Sequence, residues 1–327
     1  MTSTPGVLMG VDVGCTTSAG GLVTPEGEVL SAMQVPTGLG TGNAMQAILG
    51  LVTDLALEAQ TRGLTLEAVG VGVPGLVDTE RGILHTSAGG VLAEMHRMPI
   101  AERITEKTGV PTYIDNDVNA LALGEWMFGF GSGAASCIVL AIGSGLGAGL
   151  IVDHRLVRGK SGYAGELGHV PIDFDGPRCP CGGRGCLSLY VAGTYLGAEA
   201  RRRATSEPSA LAALAGGRIE AITAETVFTA AAHGDAIARE MVDRACQALG
   251  AGLAVVVNGL NPDVIVVTGG VVKSLVPFAG DIVRRAGEYA FADCLDSTAI
   301  HFVPGDKRQT VRGGAALVQY ERARRAG

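Results

Sequence analysis

Two stretches of this chain, residues 7–23 and 137–152, follow one pattern: an apolar strand, a glycine-rich turn and a second apolar strand. After each stretch, helical and strand periodicities alternate, which is typical of an α/β protein with a mostly parallel sheet. The return of the pattern within 327 residues indicates an internal duplication. We therefore expect an α/β fold built from two similar halves, ending in a helix over Ala315–Arg325 that follows the pair Gly313-Gly314.

Composition excludes several classes of protein. Only 17% of the residues are charged and 47% are apolar, so the chain has a large core, and its length allows about two domains. The net charge is −7 and the longest basic run is Arg201–Arg203, which excludes a nucleic acid as partner. No apolar run approaches the roughly 20 residues of a membrane span, and residues 1–6 do not read as a leader. We expect a cytoplasmic protein with no membrane partner.

The two glycine-rich turns are candidates for phosphate binding, because glycines let the main chain approach a ligand and hydroxyl side chains can donate to it. Asp12 ends the first strand and is placed to hold a water on Mg²⁺. A glycine turn between strands is also an ordinary hairpin, so only the two turns together favour a nucleotide. The turn residues are Gly14, Thr16, Thr17, Gly143, Ser144 and Gly145.

Asp117 lies where a short strand gives way to an apolar helix, the usual location of ligand sites in α/β sheets. A carboxylate there can accept the proton of an alcohol while nucleotide phosphates are held in line, so Asp117 is the candidate general base. The neighbouring Asn116 offers a donor and an acceptor, as recognition of a polyol requires. The alternative is that Asp115 and Asp117 only cap the helix.

A metal site is indicated by one histidine and three of the seven cysteines: His169, Cys179, Cys181 and Cys186. One imidazole and three thiols are the ligands of a closed tetrahedral zinc site, which is structural rather than catalytic. The three cysteines lie within eight positions, a spacing that suits a metal better than a disulfide framework. The alternative is a set of unrelated reduced thiols.

Five segments, residues 10–14, 71–76, 116–120, 164–169 and 179–186, together resemble the ordered motifs of the ROK sugar kinases and repressors. The resemblance implies an α/β, two-lobed actin-like ATPase fold, of the ribonuclease H-like kind, with duplicated mixed sheets and a zinc-binding segment. The smaller lobe would span residues 1–118, with the C-terminal helix of about 310–327 packing back on it. The larger lobe, residues 119–309, would include the zinc segment, residues 169–186.

The resemblance also implies an activity: ATP with Mg²⁺ in the cleft, phosphorylation of a hexose on its 6-hydroxyl with Asp117 as base, a structural Zn²⁺, and a homodimer or homotetramer. His169 would bind zinc through one ring nitrogen and face the sugar with the other. Gly269 and Gly270 match the adenosine-side turn. The residues on the sugar side are Asn116, Glu166, His169, Gly75, Gly89 and Ser188.

The chain departs from the family pattern at three places. The first phosphate turn of the family reads Asp-x-Gly-Gly-Thr-Lys, whereas here Cys15 replaces a glycine and Thr17 replaces the lysine, so one phosphate-side charge is missing. Ser188 stands where the family has a glutamate that reaches the sugar. The loop around Gly89 lacks the asparagine and tryptophan of glucokinase-like members.

These departures leave the sugar open. Glu166 could pair with an ammonium on the ring, which favours an aminohexose. The leading candidate is kanosamine (3-amino-3-deoxyglucose), a substrate of ROK-like kinases in actinomycete antibiotic pathways. The alternative is a glucokinase whose loop has drifted.

Two further function classes are open to a chain of this family. A ROK repressor carries a winged helix-turn-helix ahead of the first phosphate motif, whereas six residues precede Val7 here, so we expect no such domain. A catalytically silent sugar sensor is suggested by the lost lysine and glutamate. The retained Asp12 and Asp117 argue against it.

Overall fold

The structure is a computed structural model that describes residues 5–38, 41–86 and 93–326. Its chain divides into two compact units. The first contains the described residues up to Ala134, the segment Gly149–Ala164 and the residues from Asp306 onward. The second contains Ala135–Ala148 and Gly165–Gly305.

The strands and helices are numbered here in chain order. The strands are β1 Gly6–Asp12, β2 Thr17–Val23, β3 Val29–Pro36, β4 Thr65–Val73, β5 Leu76–Asp78, β6 Ile83–Thr86, β7 Met98–Pro99, β8 Thr112–Asn116, β9 Cys137–Ile142, β10 Leu146–Val152, β11 Arg155–Leu156, β12 Val264–Gly269 and β13 Ala299–Pro304. The helices are α1 Ala44–Thr61, α2 Ile100–Thr108, α3 Asp117–Phe128, α4 Ser188–Val191, α5 Gly193–Ala204, α6 Leu211–Leu214, α7 Ala224–Ala232, α8 Ala236–Leu260, α9 Val272–Leu275, α10 Ala279–Ala286, α11 Ala292–Ser297 and α12 Lys307–Ala326.

The first unit is built on a five-stranded mixed sheet of order β3-β2-β1-β4-β8. Strand β1 pairs antiparallel with β2 and parallel with β4, and β4 pairs parallel with β8. Strand β1 is buried from Val7 onward and β4 from Ala68 onward, because both faces of the sheet are covered there. The core on one face includes Met9, Val11, Ile48, Leu55 and Ile104, from β1, α1 and α2.

Helix α12 covers the opposite face of this sheet and begins at Lys307, so the expected start after Gly313-Gly314 is wrong. Both glycines lie inside the helix, where each costs roughly 1 kcal/mol relative to alanine. A Cβ on Gly314 would lie 2.7 Å from Gly10 Cα, and one on Gly313 would lie 2.6 Å from Ala120 O. The glycines therefore let α12 pack main chain against main chain on β1 and on α3.

The second five-stranded sheet has the order β11-β10-β9-β12-β13. Its strands β9, β12 and β13 pair in parallel, as β1, β4 and β8 do in the first sheet. In each sheet the first strand is flanked by its own hairpin on one side and by two parallel strands on the other. This shared order confirms the predicted duplication of mixed sheets.

A small sheet of order β5-β6-β7 completes the strands of the described chain. None of the helices that the structure describes has the length and apolar character needed to cross a membrane.

Candidate active site and metal centre

Asp12 and Asp117 are neighbouring carboxylates of the first unit. Asp12 ends β1 and is 8% exposed, and Asp117 opens α3 and is half-buried. Burial, followed by repulsion from Asp12, raises the pKa of Asp117 to about 7. A carboxyl group with that pKa can accept a proton near neutral pH, the property that a general base requires.

Helix α3 is capped by the side chain of Asn116. Its Oδ1 accepts hydrogen bonds from the main-chain N–H groups of Val118 at 2.9 Å and Asn119 at 3.2 Å. Its Nδ2 donates to the carbonyl oxygen of Gly75 at 3.2 Å. Oδ1 of Asp117 also accepts from the N–H of Val118, at 3.0 Å. Asn116 thus supplies the cap and joins α3 to the loop at Gly75.

A buried charge network fixes the main chain immediately before Asp117. Asp115 is 2% exposed and accepts from Arg158 Nε at 2.8 Å and from Asn119 Nδ2 at 2.9 Å. Arg158 Nη2 also donates to Glu321 Oε1 of α12 at 2.6 Å. The guanidinium therefore compensates two buried carboxylates and links the end of β8 to α12. No local motif marks Arg158 or Glu321, so neither residue could be predicted from the sequence.

We expect Arg158→Met to destabilise the protein by about 3–5 kcal/mol, because it leaves the buried Asp115 carboxylate without its cation, whereas Glu321 keeps its ion pair with Arg324. Chemical denaturation monitored by circular dichroism measures the change. Arg155→Met removes the same charge from an exposed position three residues earlier and should change stability by less than about 0.5 kcal/mol. A loss below about 1 kcal/mol for Arg158→Met would contradict the role of this network.

The turn after β1 is held by Thr37. Thr37 Oγ1 donates to Gly14 O at 2.7 Å, and Thr37 N donates to Thr16 O at 2.9 Å. Cys15 and Thr16 are exposed at the tip. The sequence predicts that this turn lacks a phosphate-side charge, because Thr17 opens β2 in place of a lysine.

A cation from the other end of the chain lies beside this turn. Lys307 Nζ, at the start of α12, donates to Asp12 Oδ2 at 2.8 Å. A Cβ added to Gly14 would lie 3.7 Å from the same Nζ. Lys307 was missed because 295 positions separate it from Asp12 and no local pattern connects them.

The second glycine turn lies beside Gly269 in the second unit. A Cβ on Gly269 would lie 2.5 Å from Ile142 O, and Val271 N donates to the same oxygen at 3.1 Å. The turn oxygen of Gly143 accepts from Gly193 N, at the start of α5, at 2.8 Å. Added Cβ atoms would meet no atom within 4 Å at three glycines of these turns, which are therefore open to a ligand: Gly143, Gly145 and Gly270. Ser144, between the first two, is exposed.

The four expected metal ligands meet in the second unit. One ligand atom from each of His169, Cys179, Cys181 and Cys186 lies within 4.8 Å of all the others. Cys181 Sγ is 3.6 Å from Cys186 Sγ, and Cys179 Sγ is 3.6 Å from His169 Nδ1. A tetrahedral zinc with Zn–S bonds of about 2.3 Å would place its sulfur atoms roughly 3.8 Å apart. The spacing and the donor set therefore fit zinc.

Burial raises the pKa of Cys186 to about 12, and its hydrogen bonds with the neighbouring thiols act in the same direction. A thiolate at that buried position requires a nearby cation. The segment is ordered by main-chain hydrogen bonds such as Cys179 N to Gly183 O, at 3.0 Å.

The residues expected on the sugar side differ in exposure. The Glu166 side chain is 59% exposed, and its Oε2 lies 3.9 Å from His169 Nε2, the nitrogen that does not face the thiols. Ser188 is 2% exposed, and its Oγ would lie 2.5 Å from a Cβ on Gly168. Gly89 lies outside the described residues.

The model of the ROK family matches residues 8–321. The chain belongs to the ROK family. This confirms the resemblance carried by the sequence motifs. A glucokinase of Streptomyces coelicolor is 34% identical to this ROK protein over 268 residues, which are 81% of this chain and 82% of the relative. The DNA-binding transcriptional repressor Mlc of Escherichia coli is 29% identical over 278 residues, 84% of this chain and 66% of the repressor.

The ROK protein is also similar to solved structures. A ROK family glucokinase from Streptomyces griseus, in complex with glucose and AMPPNP, has a TM-score of 0.76 and 30% identity, covering 95% of this chain and 98% of the other. This likeness confirms the expected two-lobed actin-like ATPase fold.

Proposed function

We propose that this ROK protein is an ATP-dependent hexose kinase that phosphorylates the 6-hydroxyl of its sugar. The proposal rests on Asp117. Its half-buried carboxyl group lies beside Asp12, and the pKa of Asp117 is raised to about 7. A pure sugar sensor has no need of a general base. Glucokinases similar to this chain over most of its length support the same activity.

In this mechanism Asp117 takes the proton of the 6-hydroxyl as that oxygen attacks the γ-phosphorus of ATP. The bond from the γ-phosphorus to the β,γ-bridging oxygen breaks, and ADP leaves with the electron pair. The glycine turns after β1 and β9 hold phosphates by main-chain N–H groups, with Thr16, Thr17 and Ser144 adding hydroxyls. Gly270 leaves room for the adenosine side, and Gly269 lets this turn pack closely on the main chain of Ile142.

A magnesium ion fits the oxygen donor of Asp12, which would hold it through water. When bound, Mg²⁺ neutralises charge on the phosphates. The proton transfer itself depends on Asp117, whose position is set by the cap of α3 and by the Asp115–Arg158 pair.

We propose that Asn116, Glu166 and His169 contact the sugar, with Gly75 and Ser188 as further sugar-side residues. We propose that one structural zinc, bound by His169 Nδ1 and the thiols of Cys179, Cys181 and Cys186, fixes the imidazole. His169 Nε2, which lies 3.9 Å from Glu166 Oε2, is then free to donate to a sugar hydroxyl. A homodimer or homotetramer stays a prediction that light scattering tests.

A coupled assay of ADP release over a panel of hexoses and aminohexoses tests the kinase proposal. Sugar-dependent ADP release supports it. ADP release that no sugar stimulates, in protein that binds a sugar, would favour the sensor instead.

Glucose and kanosamine are the two substrates proposed for this site. Similarity to glucokinases supports glucose. The exposed Glu166 carboxylate and the buried Ser188, which replaces a family glutamate, support an amino sugar.

For an aminohexose kinase, we expect kcat/KM for kanosamine to exceed the value for glucose by roughly tenfold, the effect of one charge-assisted hydrogen bond. Steady-state kinetics with glucose, glucosamine and kanosamine measures this ratio. Glu166→Gln should remove the preference for the ammonium and leave glucose the better substrate. A clear preference of the wild type for glucose over both amino sugars would contradict the kanosamine assignment and leave the kinase assignment intact.

A further inference from the structure

The ammonium group of Lys307 pairs with the carboxylate of Asp12 at the end of β1. Its Nζ lies 2.8 Å from Asp12 Oδ2, and its side chain is 37% exposed. An ammonium group has three N–H donors, so the bond to Asp12 leaves donors that can reach a ligand from the exposed side. The turn after β1 lies within reach of these donors, because a Cβ added to Gly14 would lie 3.7 Å from this Nζ.

The packing of α12 fixes where this cation lies. A Cβ on Gly10 would lie 1.8 Å from the carbonyl oxygen of Val311, one helical turn after Lys307, so no side chain separates α12 from β1. The first turn of the helix is closed by a reciprocal pair, with Gln309 N donating to Asp306 Oδ1 at 2.8 Å and Asp306 N donating to Gln309 Oε1 at 3.0 Å. Lys307 therefore starts from a rigid main chain directly beside the end of β1.

Stability alone is a weak reason for a lysine at this position. A cation in the first turn of a helix is opposed by the helix dipole. A partly exposed ion pair returns only about 0–1 kcal/mol. The same charge beside a phosphate-binding turn has a larger effect on ligand affinity, because its N–H donors bind a multiply charged anion.

We propose that Lys307 is a nucleotide-binding residue that contacts the phosphates of ATP at the turn after β1, and that it supplies the positive charge that Thr17 does not. This inference rests on the proposed kinase function. Before the nucleotide binds, the ammonium neutralises Asp12. In the complex it donates to Asp12 and to a phosphate oxygen together, so the cation comes from the C-terminal helix.

Calorimetric titration of Mg-AMPPNP tests the inference without any turnover. We expect Lys307→Met to weaken binding by roughly tenfold or more, the effect of losing one charge-assisted hydrogen bond. Adenosine, which has no phosphate, should bind both proteins alike. Arg308→Met is the matched control: it removes the same charge from the next residue, whose guanidinium donates to Val29 O, and should leave the affinity for AMPPNP within about twofold.

A rescue variant separates a phosphate contact from a purely structural ion pair. Adding Thr17→Lys to Lys307→Met returns a cation to the turn from the other side, and it should restore at least half of the lost affinity on a logarithmic scale. If Lys307→Met binds Mg-AMPPNP as the wild type does, or loses adenosine equally, the inference is wrong while the kinase function stands. If the wild type binds no nucleotide and phosphorylates no sugar, both fail.

Discussion

Asp117→Asn is expected to lower kcat for sugar phosphorylation by on the order of 10² to 10⁴, because the amide cannot accept the proton of the attacking hydroxyl. KM for the sugar and for ATP should change little, since the amide keeps the size of the carboxylate and its hydrogen bond from Val118 N. Initial rates in the coupled ADP assay measure both constants. Asp54→Asn, an exposed change on α1, is the matched control and should leave kcat unaltered.

The pH dependence of the wild-type rate should report the ionisation of Asp117. Because the pKa of Asp117 in the free protein is about 7, only the ionised form above that pH accepts a proton, so kcat/KM should fall as the pH drops below about 7. Asp117→Asn should lack this acid limb. A variant that retains near-wild-type turnover with the same acid limb would show that another group is the base.

The same substitution should not weaken the fold. In the unfolded chain an aspartate has a pKa of about 3.9, and the folded value is higher, so the folded state binds the proton more tightly. The contribution of Asp117 to stability is therefore most favourable below about pH 4, is lost as the pH rises toward 7, and is a cost above 7. At pH 8 Asp117→Asn should melt at or above the temperature of the wild type, so lost activity is not lost structure.

Cys181→Ser is expected to abolish stoichiometric zinc binding and to lower both stability and activity. Protein purified without a chelator should hold about one zinc per chain, and the variant less than about a fifth of that. The ligand segment runs through turns and a short 3₁₀ helix, Leu167–His169, and has little apolar side chain to order it, so metal binding must stabilise it. Loss of the metal would release His169 and so lower kcat/KM for the sugar.

Elemental analysis by mass spectrometry and thermal melting measure these effects. Cys294→Ser is the matched control, because Cys294 lies on α11 outside the ligand cluster, and it should keep its zinc. Less than half an equivalent of zinc in the wild type would contradict the zinc assignment.

The sequence predicted those parts of the fold whose signal is local. The pattern of strand, glycine turn and strand at residues 7–23 recurs at 137–152. The two five-stranded sheets that contain these segments have the same strand order. The four metal ligands lie within 18 positions of one another, so their meeting in one cluster could be read from spacing alone.

Contacts between distant residues could not be predicted in this way. Gly313 and Gly314 read as a break before the last helix, because a lone sequence does not reveal that β1 and α3 approach that helix closely. Arg158 and Lys307 have no motif around them, and their partners Asp115 and Asp12 lie 43 and 295 positions away. The positions of these two cations are set by tertiary packing, and each lies beside a buried carboxylate.

Identifying the reaction product tests the proposed 6-kinase activity most directly. The purified protein, incubated with ATP, Mg²⁺ and either glucose or kanosamine, is analysed by ³¹P nuclear magnetic resonance, with Asp117→Asn run in parallel. We expect a sugar phosphate whose phosphorus couples to the two protons on C6, formed together with ADP by the wild type and hardly at all by the variant. A phosphate on another carbon, or free phosphate released from ATP without any sugar ester, would contradict the proposed activity.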